Sequence, residues 1–125
     1  MIKNDYILDQ LEMMIKVGAK LLFKDKDGNE NILIFKSEEI GINKELYNKL
    51  MAMILNLDIN GAENILFESI EKNKDLLHLN TALTFYNYLY SLNRTILQAG
   101  DFTRDEIKEG LDEILELYGI SEIMV

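Results

Sequence analysis

An uncharged stretch over residues 76–93 constrains the fold of this chain more than any other feature of its sequence. Asp75 precedes the stretch and Arg94 follows it, and no residue between them carries a charge at neutral pH. Charged residues make up 28% of the chain, so a gap of this length is a strong local signal. It predicts a helix that is apolar around most of its circumference, as expected at the centre of a packed domain.

Length and composition predict a single all-α domain over residues 1–125. A chain of 125 residues is long enough to bury a core of its own. It contains no proline, so no candidate helix is interrupted, and no cysteine, which excludes disulfides and thiolate metal sites. We predict a compact bundle of about five helices that includes a tetratricopeptide-like helical hairpin.

The charge balance excludes two classes of partner. Thirteen basic residues stand against 22 acidic ones, a net charge of −9, and no positive footprint for phosphates exists. We therefore expect no nucleic-acid partner and no anionic membrane partner. The first residues include Asp5, Asp9 and Glu12, where a secretion signal would need an apolar run. The expected location is the cytoplasm.

Apolar periodicity and capping residues predict the remaining helices. The first helix is expected over residues 5–23, and a hairpin of two helices over residues 43–57 and 60–73. A short helical turn should follow at residues 94–98. The last helix has the clearest limits, because Thr103 and Glu106 form a capping box and Gly119 suits a left-handed cap.

Residues 31–36, with the sequence NILIFK, fit more than one structure. Four consecutive apolar residues suit a short strand, and together with residues 21–30 they can be drawn as a hairpin around Gly28. A single pair of strands is only marginally stable in water. The interpretation we prefer is therefore an extended or helical connector.

Two resemblances bear on the fold. Residues 46–73 resemble one tetratricopeptide unit through Leu50, Ala62, Leu66 and Ser69, although the Trp, Tyr and Pro of that motif are missing. The segments DYILDQLEMM, ALTFYNYLYSLN and AGDFTRDEIKEGLDEILELYGI resemble a small family of uncharacterised bacterial helical proteins, a domain of unknown function. That resemblance implies a cytoplasmic, loosely tetratricopeptide-like helical domain. It implies no reaction and no catalytic residue.

The central stretch carries a candidate binding stripe. Asn80, Thr84, Asn87 and Ser91 are spaced by four, three and four residues, which aligns them on one side of a helix, and Tyr88 flanks them. An uncharged polar stripe of this kind could line a groove and bond to the backbone of a docked peptide. It could equally be a partly exposed face, or a seam satisfied by neighbouring carbonyls.

His78, the only histidine, is the other candidate. It follows Asp75 at the three-residue spacing of helical carboxylate metal sites, but those sites use two such acid–histidine pairs. A histidine that is simply buried at the edge of the core is the competing interpretation.

These observations favour a small protein-interaction module over an enzyme. Its partner would be a protein or peptide, with a homodimer among the assemblies that fit. No catalytic residue, metal ligand or cofactor is predicted. The alternative is a small-molecule or metal-binding protein with hydrolytic activity centred on His78 and nearby acids.

Overall fold

The computed structural model describes residues 7–125 and combines helices with a three-stranded antiparallel sheet. Its helices are α1 (Ile7–Lys16), α2 (Ser37–Ile40), α3 (Lys44–Leu55), α4 (Ile59–Lys72), α5 (Leu76–Ser91), α6 (Arg94–Ala99) and α7 (Arg104–Leu117). Its strands are β1 (Ala19–Lys24), β2 (Glu30–Phe35) and β3 (Ile120–Met124). The predicted all-α bundle of about five helices is therefore wrong, because residues 7–125 form an α+β fold.

The central position predicted for the uncharged stretch is confirmed. Helix α5 packs against α1, α2, α3, α4 and α7. Nine of its residues are buried: His78, Leu79, Asn80, Thr81, Ala82, Leu83, Phe85, Tyr86 and Leu89. The helix begins after Asp75, whose carboxylate accepts a hydrogen bond from the backbone N–H of His78. Because α5 is enclosed by neighbours on most sides, a charged residue on it would lack water to solvate it.

The first helix is shorter than predicted. Its buried stripe of Ile7, Leu11 and Met14 follows the helical period, and it ends at Lys16. Gly18 then adopts a φ of +102°, which turns the chain out of the helix and into β1. Residues 5 and 6 of the predicted helix lie outside the described part of the chain.

The connector predicted at residues 31–36 is also wrong, because Glu30–Phe35 form strand β2. The hairpin is supported by a third strand: β1 lies in the middle, with β2 on one side and β3 on the other. Three strands with one buried face are stable where a lone pair is not. The sequence predicts a helix cap at Gly119 but not the strand after it that completes the sheet.

The predicted helix limits after residue 40 largely hold. Asn43 caps α3 by accepting a hydrogen bond from the N–H of Leu46, and Thr103 caps α7 in the same way for Glu106. The cap of α4 is Asp58 and not Asn60. Helices α3 and α4 pack against each other as a helical hairpin. Their tetratricopeptide-like character stays a prediction.

No helix within residues 7–125 is both long enough and apolar enough to cross a membrane.

Candidate functional site

Asn80, the first residue of the predicted binding stripe, is buried and fully engaged by its own chain. Its side-chain amide donates to the carbonyl oxygens of Ser37, at 3.1 Å, and Gly41, at 2.6 Å. Its Oδ1 accepts a hydrogen bond of 2.9 Å from the Ser37 hydroxyl. These three bonds fix α2 and the chain after it onto α5. At this position the structure matches the alternative in which neighbouring carbonyls of the same chain satisfy the polar side chain.

The other stripe residues lie progressively closer to solvent. Thr84 donates to the Asn80 carbonyl at 2.8 Å, and Ser91 donates to the Tyr88 carbonyl at 2.6 Å, so both hydroxyls are satisfied within the helix. Asn87 is half-buried and Tyr88 is 36% exposed. A role for these four residues in peptide binding stays a prediction.

His78 is held by Asp75 at the start of α5. The distance between His78 Nδ1 and Asp75 Oδ1 is 2.7 Å. Partial desolvation opposes ionisation of Asp75, but hydrogen bonds from the backbone and ring of His78 prevail and lower the pKa of its carboxyl. An ionised carboxylate only accepts hydrogen bonds, so Nδ1 of His78 is the donor in this contact.

A cleft of about 300 Å³ between α3, α4 and the start of α5 is lined in part by His78. Ser69, Lys49 and Lys72 line the same cleft. Among the described residues, however, no hydrogen bond joins Ser69 to His78, the contact by which a histidine activates a serine. Residues 7–125 also contain no group of three His, Cys, Asp or Glu side chains that could hold a metal ion. A small-molecule or metal-dependent function at His78 stays a prediction.

A tyrosine–glutamate pair, with Tyr86 buried and Glu63 half-buried, joins α4 and α5 beneath α7. The Tyr86 hydroxyl donates to Glu63 Oε2 at 2.8 Å. Burial raises the pKa of the Glu63 carboxyl despite that hydrogen bond, and nearby Glu106, Glu113 and Glu109 raise it further. Burial and the adjacent carboxylate likewise raise the pKa of Tyr86. This hydrogen bond links α4 to α5 at the point where Gly110 of α7 lies against both side chains.

The sheet exposes an apolar surface that sequence analysis did not identify. One face of the sheet contributes Ala19, Leu21, Phe35, Ile120 and Ile123 to the core. The other, here called the open sheet face, is made of the alternate residues Lys20, Leu22, Lys24, Glu30, Ile32, Ile34, Glu122 and Met124.

Three of the four apolar side chains of the open sheet face are exposed to solvent, and the fourth, Leu22, is half-buried. Ile32 is 62% exposed, Ile34 55% and Met124 42%. A shallow cavity of about 320 Å³ continues this surface at one end, where Val17 and Val125 join Ile34 and Met124. Contiguous exposed apolar side chains of this kind mark interaction sites more often than isolated ones do.

The outer edge of β2 adds unpaired backbone groups to that surface. The N–H of Asp25 donates to the carbonyl of Asn29, so these two residues form a hydrogen-bonded pair beside the turn. Such pairs alternate along an antiparallel ladder, so the odd-numbered residues of β2 bond to β1. The N–H and C=O groups of Glu30, Ile32 and Ile34 therefore point away from β1. These three residues define the free β2 edge.

A comparison with protein families identifies the chain. A model described as a family of unknown function (DUF6483) matches residues 1–119. The chain belongs to DUF6483. The resemblance to a domain of unknown function inferred from the sequence is thereby confirmed. No curated protein and no solved structure matches the chain significantly.

The matched part of this DUF6483 chain contains both the predicted stripe and the free β2 edge, whereas β3 (Ile120–Met124) follows it. Sequence reasoning missed Ile32 and Ile34 because the hairpin was set aside. The sequence nevertheless contained a signal for these two residues. An Asp-Gly turn precedes an apolar run that is too short for a helix, which is typical of a hairpin. If one face of that hairpin strand enters the core, the other face is left in solvent.

Proposed function

We propose that this chain is a protein-interaction module that binds an extended segment of a protein along the free β2 edge. The observation that carries the proposal is the coincidence of unpaired backbone groups with exposed apolar side chains. Ile32 and Ile34 supply both, since their N–H and C=O groups point outward while their side chains lie on the open sheet face.

Strand addition uses these two features for different purposes. Backbone hydrogen bonds to the docked strand supply affinity that is independent of its sequence. The side chains beside the edge select the partner, because alternate residues of the docked strand would lie next to Ile32 and Ile34. The expected partner strand is therefore apolar on the side that continues the open sheet face.

The test is the double substitution Ile32→Thr and Ile34→Thr. Threonine keeps the preference for strand while removing apolar contact area. The tagged chain is used as bait, retained proteins are identified by mass spectrometry, and the purified partner is titrated against each variant. We expect the double variant to bind at least about tenfold more weakly, because burying two isoleucines contributes well over 1.4 kcal/mol.

Leu55→Gln is the matched control for that test. Leu55 is 81% exposed and lies at the end of α3, which packs on α4 and α5. The Leu55→Gln substitution therefore removes exposed apolar area without changing the sheet. The affinity of this variant for the partner should stay within about twofold of that of the parent chain. Equal loss in both variants would mean that binding is nonspecific, and no loss in the double variant would mean that the partner binds elsewhere.

A further inference from the structure

We propose that the extended segment bound at the free β2 edge is β2 of a second copy of this chain. Two copies would then form a twofold dimer whose sheets join into six antiparallel strands. The inference rests on the proposed function, since it names the partner for the same edge. It is carried by three observations: the difference between the two sheet edges, the pairing register, and the distribution of charge.

The two outer strands of the sheet differ in how their edges are protected. β3 carries the charged residue Glu122 in its middle and a bulge at Ser121, where the partner positions change from Leu22–Glu122 to Phe23–Ile120. Charges and bulges are devices that prevent edge strands from pairing with another chain. β2 has neither between its ends: the four residues Ile32–Leu33–Ile34–Phe35 are all apolar. Only β2 is left available for pairing.

The alternation of backbone groups restricts how two β2 strands can pair. The backbone N–H and C=O groups that point away from β1 belong to the even-numbered residues of β2. An even-numbered residue of one copy must therefore lie opposite an even-numbered residue of the other. The register with Leu33 opposite Leu33 of the second copy satisfies this condition. It places each Ile32 beside Ile34 of the other copy, which shields both side chains on the open sheet face.

The same register makes the ends of the two strands electrostatically complementary. Glu30 faces Lys36 of the second copy, and the twofold axis repeats this pair at the other end. Within its own chain Lys36 lies 3.8 Å from Glu39, an exposed pair that holds it only weakly. Moving the register by two residues in either direction removes the facing pair, so charge favours the one centred on Leu33.

The overall charge of the chain also favours association through the hairpin. Residues 19–36 contain four lysines and three acids, a net charge of +1, in a chain whose total is −9. Two copies that meet at β2 therefore bring together a part of each molecule that carries no net negative charge. The resulting assembly is closed, because only the protected β3 edges remain at the ends of the joined sheet.

The experiment combines light scattering with a single-cysteine crosslink. The chain contains no cysteine, so any introduced cysteine is unique. In the proposed register Leu33 faces itself in a non-hydrogen-bonded pair with Cα atoms about 4.5 Å apart, a separation that a disulfide spans. Under mild oxidation we expect Leu33→Cys to form a linked dimer. The unmodified chain should scatter with twice its mass of 14.5 kDa.

Asn31→Cys is the control for the register. Asn31 lies on the same strand and the same side and is more exposed than Leu33. In the proposed dimer two Asn31 positions are about 14 Å apart, so they should not crosslink. Equal crosslinking of both variants would overturn the proposal, and so would a dimer in which neither reacts.

A charge exchange gives a second readout if Leu33→Cys impairs folding. Glu30→Lys and Lys36→Glu should each weaken dimerisation at least about fivefold, and the double exchange should restore it. A strictly monomeric chain at millimolar concentration would overturn this inference. A monomer that still binds another protein through Ile32 and Ile34 would leave the proposed function standing, whereas failure of the Ile32–Ile34 test removes that function itself.

Discussion

Asn80→Asp is expected to lower the free energy of unfolding by about 3–5 kcal/mol at pH 7. The substitution leaves size and shape almost unchanged but replaces the amide donor with an acceptor. The carbonyl of Gly41, which lies 2.6 Å from Nδ2, would then face a carboxylate oxygen, and the carbonyl of Ser37 would lose its donor. Because Asn80 is fully buried, no water is available to solvate the new charge.

Urea unfolding of the variant and of Asn87→Asp measures this effect. Asn87 lies on the same helix and is half-buried, so its substitution introduces the same charge at a partly solvated position and should cost no more than about 1 kcal/mol. Burial raises the pKa of a carboxyl at position 80 in the folded state. The folded Asn80→Asp variant therefore takes up a proton at a higher pH than the unfolded chain does. Its loss of unfolding free energy should shrink as the pH falls towards 4. Equal losses at both positions would show that Asn80 does not join α2 to α5.

Gly18→Ala should have the second largest effect, with a loss of about 2–4 kcal/mol of unfolding free energy. Two costs combine at this position. The φ of +102° disfavours any side chain, and an added Cβ would lie 2.7 Å from the carbonyl oxygen of Phe35. Phe35 is fully buried and paired with Ala19, so its backbone has little freedom to move.

Gly28→Ala separates those two costs. Gly28 has a φ of +81° in the turn between β1 and β2, and an added Cβ would meet no atom within 4 Å. Its substitution should cost about 1 kcal/mol, from the backbone conformation alone. The comparison is made by urea unfolding of both variants under one set of conditions. Losses of equal size would contradict the close packing of the α1–β1 turn against β2.

The helical part of the fold could be predicted because its signals are local. The absence of charge between Asp75 and Arg94 marks a helix that neighbours enclose, whatever those neighbours are. Asn43 and Thr103 identify helix starts through hydrogen bonds that span only three residues. Each of these signals depends on a few adjacent positions.

The sheet could not be predicted in the same way, because its stability depends on residues far apart in the chain. Leu21 pairs with Leu33 on one side and with Ile123 on the other. Without the second pairing, the hairpin lacks the third strand that makes it stable in water. The first helix was predicted too long for the same reason. Gly18 and the residues after it fit the apolar period of a helix, and only their distant pairing with β3 shows that they form a strand.

The candidate sites show the same division. The polar stripe was recognised from its spacing, but the spacing cannot show that Asn80 faces α2 and the chain after it. The pairing of Asp75 with His78 is local, and its three-residue spacing was visible in the sequence. Ile32 and Ile34 became candidates only once the sheet assigned one face of β2 to the core and the other to solvent.

Amide hydrogen exchange at β2 tests the central claim, that this edge binds an extended strand. One chain alone leaves the N–H groups of Ile32 and Ile34 without a strand partner, whereas Leu33 is bonded to β1. We predict that at millimolar concentration, where the second copy is bound, Ile32 and Ile34 exchange as slowly as Leu33. Exchange of Ile32 and Ile34 at the rate of an unstructured peptide, both at that concentration and with any captured partner at saturation, would contradict the account.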